Sequence, residues 1–209
     1  MNFWDSIFQD GAIWSYEPAD SAIFAADYFL KSGICNALIP GFGYGRNSTP
    51  FIDKGIGVTG IEISIKAIET AIKNNLKIQI YHGSVLDMPF DNIKYDGIYC
   101  YAVLHLLNRN ERKLFLTSCY NQLSTNGIMI FVVVSLNSPM YGQGKLLSKN
   151  RFQINNGLNV FFYDEKAIIN EFKNFEVLEC YEIKEPIKHM KDEPPLQCYK
   201  IVVQKQAAL

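Results

Sequence analysis

Histidine is scarce in this chain. Three occur, His82, His105 and His189, and no two stand at a metal-ligand spacing. Cysteine is almost as sparse: Cys35, Cys100, Cys119, Cys180 and Cys198 are scattered, odd in number and form no C-x-x-C. That excludes a disulfide framework and a zinc ribbon, and it fits a reduced, cytoplasmic setting. No apolar run approaches the ~18 residues a membrane-spanning helix needs. The N-terminal MNFWDSIFQDG lacks a basic start followed by an apolar core, so no secretory signal is expected there. There is no basic excess either; the formal net charge is −1, which argues against a general nucleic-acid binder. Repeats and low-complexity linkers are missing as well. Neither a nucleic acid nor a membrane is expected as a partner, and the chain is expected as a monomer or homodimer.

With 48% hydrophobic and 20% charged residues over 209 positions, the chain can build one proper core, and a single domain spanning residues 1–209 is expected. Along it, apolar runs alternate with amphipathic segments. Strands are predicted at 35–39, 57–61, 77–81, 95–100 and 128–134. Helices are predicted at 18–32, around 48–54, from a Ser64 cap to Asn74, and from an Asn110 cap to Leu123, where Thr125-Asn126-Gly127 closes the last. The run Ile128 to Val134 is continuously apolar and rich in β-branched residues, as a strand buried on both faces should be. Alternation of this kind means an α/β fold with a mostly parallel sheet. Residues 135–160 read as irregular. A helix over 164–172 and strands at 176–183 and 198–204 follow, and prolines 186, 194 and 195 leave no room for a helix between those strands. They should form an antiparallel pair at one sheet edge.

The stretch IPGFGYGRN, residues 39–47, places Gly41, Gly43 and Gly45 at the end of the first strand. Glycine there provides φ > 0 or clears backbone for a ligand. In an open parallel sheet, ligands bind beyond the carboxyl ends of the strands. Glu62 lies 21 residues after Gly41, at the end of the second strand in VTGIEIS. An acid about 20 residues beyond such a loop can accept both hydroxyls of a ribose. The dinucleotide fingerprint wants a further glycine five positions after the first; Arg46 stands there instead. The plain alternative is a glycine turn beside a solvated Glu62.

Four segments in order, IPGFGYGRN, VTGIEIS, YHGSVLDMPF and YDGIYCYAVLHLL, resemble the successive motifs of class I S-adenosylmethionine-dependent methyltransferases over about residues 35–134. The resemblance implies a Rossmann-like three-layer sandwich with a seven-stranded sheet, and S-adenosyl-L-methionine as cofactor, leaving S-adenosyl-L-homocysteine. It places Gly41, Phe42 and Gly43 beneath the methionine part, Glu62 on the ribose hydroxyls and Ile63 on the adenine. Ser84 and Val85 fall at the adenine edge and Tyr101 near the methionine or methyl. Arg46 from the loop and Trp14 from the aromatic N-terminus join the cofactor set. Ile39-Pro40 stands where many members have an acid, and Gly83-Ser84 where Gly-Asp is common; Asp87 is a second polar candidate beside the adenine or a loop cap. A Pro-Gly start resembles the thiopurine-type and tellurite-resistance-type subfamilies, which act on small molecules.

Methyl transfer from a sulfonium needs alignment and water exclusion more than acid–base groups. Tyr101 and His105 are the candidates to orient or deprotonate an acceptor; packing is the plain role of each. Residues 1–34 form a helical cover and 135–160 an insert on the substrate side. Tyr16, Tyr141 and Arg151 are the candidate acceptor contacts, with Lys145 and Lys149 beside them, and two such covering segments favour a small-molecule substrate as partner. The rival readings are a nicotinamide-dependent oxidoreductase and a non-catalytic S-adenosylmethionine-binding module.

Overall fold

The structure, a computed structural model, describes residues 3–9, 14–154, 157–188 and 192–206. His189 and the Asn155-Asn156 turn lie outside them. In chain order the elements are α1 (Phe3–Ile7), α2 (Asp20–Lys31), β1 (Asn36–Pro40), α3 (Thr49–Asp53), β2 (Gly57–Glu62), α4 (Ile65–Lys73), β3 (Gln79–His82), β4 (Tyr95–Tyr101), α5 (Arg109–Gln122) and β5 (Leu123–Val134). There follow β6 (Lys145–Ser148), β7 (Arg151–Gln153), β8 (Asn159–Phe161), α6 (Glu165–Phe172), β9 (Glu176–Glu185) and β10 (Leu196–Gln204). Seven strands make the main sheet in the order β3-β2-β1-β4-β5-β10-β9. The first five pair in parallel; β10 runs antiparallel to both β5 and β9. This is the Rossmann-like sandwich with its antiparallel pair.

Alternation along β5 divides the core between two layers. Ile128, Ile130 and Val132 face α2 and α3, while Met129, Phe131 and Val133 face α5 and α6. α2 offers the sheet a small-residue stripe, Ala22, Ala25 and Ala26, all fully buried. Gly97, which interrupts the apolar run of β4, has a packing reason: a Cβ there would lie 2.5 Å from the Phe29 ring. Strand order reverses between β1 and β4, so their carboxyl ends open the crevice where a ligand belongs.

Three expectations need correction. Asn108, not Asn110, caps α5: its Oδ1 accepts from the N–H groups of Asn110 and Glu111, and Glu111 Oε2 accepts from the Asn108 N–H at 2.6 Å, a complete capping box. Thr125-Asn126-Gly127 does not close that helix, because Leu123 is already paired with Tyr95 as the first residue of β5. Asn126 takes φ 62° inside the strand, and its N–H donates to Lys205 O. Finally, residues 135–160 are not irregular throughout. They contain most of a three-stranded antiparallel meander, β6-β7-β8. Its strands are three or four residues long and β6 is exposed at every position, so no apolar alternation marks them.

Candidate active site

The glycine loop begins where β1 ends. Gly41, Gly43 and Gly45 all take positive φ, at 70°, 59° and 86°. The N–H groups of Gly41 and Phe42 both donate to Ile61 O at 2.9 Å, which folds the loop back over the end of β2. The glycines do different jobs. Gly41 lies against Val103, whose Cγ2 would be 2.1 Å from an added Cβ. Gly45 and Gly60 both make room for the Phe42 ring, which would lie 2.8 and 2.7 Å from their added Cβ atoms. Phe42 is therefore a core side chain, and only its backbone belongs to the loop surface. Gly43 has nothing within 4 Å of its Cβ position, so it leaves bare backbone beside open space.

Glu62 sits at that space. It is 5% exposed; its Oε2 accepts from Gly43 N–H at 2.6 Å and its Oε1 from Ser64 N–H at 2.8 Å. Ile63 N–H is a third backbone donor to the group; a carboxylate has about four acceptor positions, so some capacity is left. Burial pushes its pKa above the ordinary 4.5, against the lowering effect of these backbone donors. The carboxylate is thus held in place yet under-solvated, a setting in which added hydroxyl donors are favourable. Ser64 next caps α4 by accepting from Ala67 N–H, and its hydroxyl donates to Asp5 Oδ1 at 2.8 Å, which docks α1 over this corner. Ile63, between the two, is 37% exposed. Beyond β3, Ser84 Oγ accepts from Leu86 N–H and opens the turn containing Val85 and Asp87.

The N-terminal segment packs against the glycine loop from the other side. Tyr44, which the sequence reading left unassigned, donates its hydroxyl to Trp14 O at 2.7 Å and Ser15 O at 3.0 Å. Its ring meets Phe8 and Tyr16 edge-on, and burial holds its pKa up at about 12. Arg46 donates to Glu17 O at 3.1 Å and stands 5.6 Å from the Tyr101 ring centroid. Tyr101 ends β4; burial raises its pKa well above the usual 10. The following residue, Ala102, adopts φ 59° while its N–H donates to Val132 O. A left-handed non-glycine residue is uncommon and collects at functional sites, and no sequence signal announces it.

His105 has an internal partner. Its Nδ1 accepts from Val134 N–H at 3.2 Å, and burial lowers its pKa to about 4. The ring is therefore neutral near pH 7 with its proton on Nε2, so neither nitrogen is poised to take a proton. Arg151 is committed too, with Nη1 donating to Leu107 O at 2.6 Å and Nη2 to Leu106 O at 3.4 Å. Those bonds fasten the meander to the segment after β4. Tyr141 packs edge-on against Phe152 and Phe162. Gly41, Gly43, Glu62, Arg46, Tyr101, Trp14 and Tyr16 thus gather around the ends of β1, β2 and β4. Ser84 and Val85 border them after β3, while Tyr141 and Arg151 stand apart on the meander.

Among the described residues no group of three or more His, Cys, Asp or Glu side chains could hold a metal, and no helix is long and apolar enough to cross a membrane. A groove of about 680 Å³ lies between α6 and β9, lined by Ile168, Phe172, Cys180 and Tyr199 among others. It shares no residue with the glycine loop.

Residues 37–127 match the sequence profile of a family described as a methyltransferase domain. No curated protein matches the chain. Among solved structures, it resembles the 1,6-didemethyltoxoflavin-N1-methyltransferase of Burkholderia thailandensis, crystallised with 1,6-didemethyltoxoflavin and S-adenosylhomocysteine (14% identity, TM-score 0.68, 90% of this chain and 80% of that one). It also resembles an S-adenosylmethionine-dependent methyltransferase of Clostridium acetobutylicum (13% identity, TM-score 0.68, 98% and 96%). A third, from Methanosarcina mazei, is 18% identical with a TM-score of 0.70, covering 83% of this chain and 93% of that one. At these identities the structures speak for the fold.

Proposed function

We propose that this chain, a class I S-adenosylmethionine-dependent methyltransferase, moves the methyl group to a small-molecule acceptor by direct displacement, as one domain with an N-terminal cover and a substrate-side insert. The observation that carries the reading is Glu62: a buried carboxylate with spare acceptor capacity, fixed beside the bare backbone of Gly43. In this reading Glu62 takes the ribose hydroxyls, Ile63 packs on the adenine, and Ser84 and Val85 border its edge. The backbone from Gly41 to Gly43 passes beneath the methionine part. Arg46 and Trp14 close over it, and the Tyr101 ring faces the cationic centre. S-adenosylmethionine, when bound, supplies a methyl already activated as a sulfonium.

The protein's share is alignment and dryness. Trp14 and Tyr16, tethered through Tyr44, shield the crevice from water, and the positive-φ turn at Ala102 directs the segment after β4. Neither candidate base is suited to proton removal: His105 is neutral with its free acceptor occupied, and Tyr101 is held protonated by burial. The reading therefore favours an acceptor that attacks without general-base help, a thiolate or a neutral amine. The toxoflavin enzyme's acceptor, a small molecule methylated on nitrogen by the enzyme's own description, supports the small-molecule reading. Calorimetry with S-adenosylhomocysteine and with NAD, followed by turnover on a panel of thiols and amines, tests it. Binding of the former and release of S-adenosylhomocysteine from S-adenosylmethionine are the expected results. Tight NAD binding alone sinks the reading, and cofactor binding without turnover on any acceptor reduces the chain to a sensor.

A further inference from the structure

We propose that Glu185 is a positioning residue for the methyl donor: it fixes residues 17–21 against the glycine loop, and its buried negative charge makes the crevice favour the sulfonium donor over the thioether product. The inference rests on the methyltransferase reading and adds to it a source of donor-over-product preference.

Position comes first. Residues 17–21 run from the N-terminal segment into α2, and side chains from two distant parts of the chain hold their backbone. From the glycine loop, Arg46 Nη1 donates to Glu17 O at 3.1 Å and Asn47 Oδ1 accepts from Ala19 N–H at 2.9 Å. From the end of β9, Glu185 accepts from the N–H groups of Asp20 at 2.8 Å and Ser21 at 3.2 Å. The Ser21 hydroxyl then meets the Tyr99 hydroxyl at 3.0 Å. Tyr99 and Tyr101 stand on one face of β4, packed in the layer that holds α2. The Arg46 guanidinium stands over the Tyr101 ring. Glu185 thus reaches the end of β4 through Ser21 and Tyr99, although β5 and β10 lie between β9 and β4 in the sheet.

Charge gives that placement a consequence. Glu185 is 1% exposed and joins no ion pair among the described residues. The nearby cations are committed elsewhere. Lys188 donates to Asp20 Oδ1 at 2.5 Å, Arg46 to Glu17 O, and Lys200 lies on the Phe24 ring. The partial positive charge at the start of α2 offsets only part of the carboxylate's. Burial raises its pKa above the ordinary 4.5, the mark of a charge short of compensation. Burial also holds the Tyr99 and Tyr101 hydroxyls protonated, and the Glu185 charge adds to both shifts. A cation bound beside Tyr101 relieves that shortfall. S-adenosylmethionine carries a positive charge on sulfur and S-adenosylhomocysteine carries none, while their other groups are the same. A carboxylate in this place therefore separates the two ligands by charge alone.

Calorimetry with S-adenosylmethionine and with S-adenosylhomocysteine, on the full chain, tests it. Glu185→Gln should lose about fivefold more affinity for the donor than for the product. Glu185→Asp keeps the charge, so it should preserve the donor-to-product ratio even where both affinities fall. Asn47→Ala loosens the same segment without a change of charge and should weaken both ligands alike. Circular dichroism checks that each variant folds. If Glu185→Gln does not, Leu196→Lys, which sets an ammonium across from Glu185 on β10, should lower the ratio in its place. Equal losses of the two ligands with Glu185→Gln, no loss of either, or an unchanged ratio with Leu196→Lys overturns the proposal. So does a ratio lost with Glu185→Asp, or one shifted as far by Asn47→Ala as by Glu185→Gln. Failure of the unaltered chain to bind either ligand is a separate result, which overturns the methyltransferase reading and this proposal with it.

Discussion

Two residues carry pH dependences of opposite origin. Glu62 has a pKa raised by burial, so it protonates at a higher pH than an ordinary carboxylate with pKa 4.5. Protonation removes acceptor capacity, and affinity for S-adenosylhomocysteine should fall as pH drops through that raised value. Glu62→Gln should weaken binding by about 1.5–3 kcal/mol at pH 7, the worth of hydrogen bonds to a charged group, and flatten the acid limb in calorimetry. An unchanged affinity would move the ribose site elsewhere. His105 acts on stability instead. Its folded pKa of about 4 lies below the ordinary 6.5, so between those values the unfolded chain binds the extra proton and stability falls as pH falls. The loss is on the order of 2 kcal/mol by pH 5, and denaturant titrations of His105→Gln should show a shallower pH slope over this window. At this scale the sequence was legible where residue type and spacing decide a contact, as with Gly43 and Glu62, which the fold brings into hydrogen-bond contact. It was silent where geometry decides. Nothing in VLHLL tells that the imidazole accepts from Val134 N–H, 29 residues on, and nothing in GFGYG tells that Phe42 turns inward while Tyr44 reaches the cover.

Elements are joined by a buried ion pair as well as by apolar packing. Arg112 Nε of α5 donates to Glu171 Oε2 of α6 at 2.8 Å, with side chains only 6% and 12% exposed. The guanidinium also lies 4.2 Å from the Phe161 ring centroid and donates to Leu107 O. Breaking such a pair strands a buried charge, so Glu171→Ala should cost about 3–5 kcal/mol, whereas Arg112→Met/Glu171→Leu should cost much less. Thermal melts of the two variants make the comparison; equal losses would mean the pair is packing alone. The element order was readable because long, strongly periodic or continuously apolar runs announce themselves, β5 and α2 above all. The errors fell on ends and short pieces. Asn110 reads as the cap of α5, and the reciprocal bond with Glu111 sets the cap two residues earlier, at Asn108. β6 carries leucines that do not alternate, so no strand period could reveal it.

For the whole molecule, the N-terminal segment is attached lightly and the sheet heavily. α1 has no fully buried residue and is held chiefly by Asp5 on Ser64 and by the contacts of Trp4 and Phe8 with Tyr44 and Ala67. Deleting residues 1–13 should therefore shift the melting temperature little but weaken S-adenosylhomocysteine binding about tenfold or more, because the crevice loses its outer wall. Calorimetry and melting on the truncated chain check both halves; a collapse in stability would show the segment to be part of the core. The opposite holds for Glu185, at the end of β9. Its buried carboxylate accepts from the N–H groups of Asp20 and Ser21 across 165 and 164 residues and so satisfies the start of α2, the helix that carries the cover. A chain emerging from the ribosome must therefore wait for its last strands before its first long helix is capped. A nascent or C-terminally clipped chain lacks that cap, so on the proposed reading it should draw down cofactor less well than the whole chain.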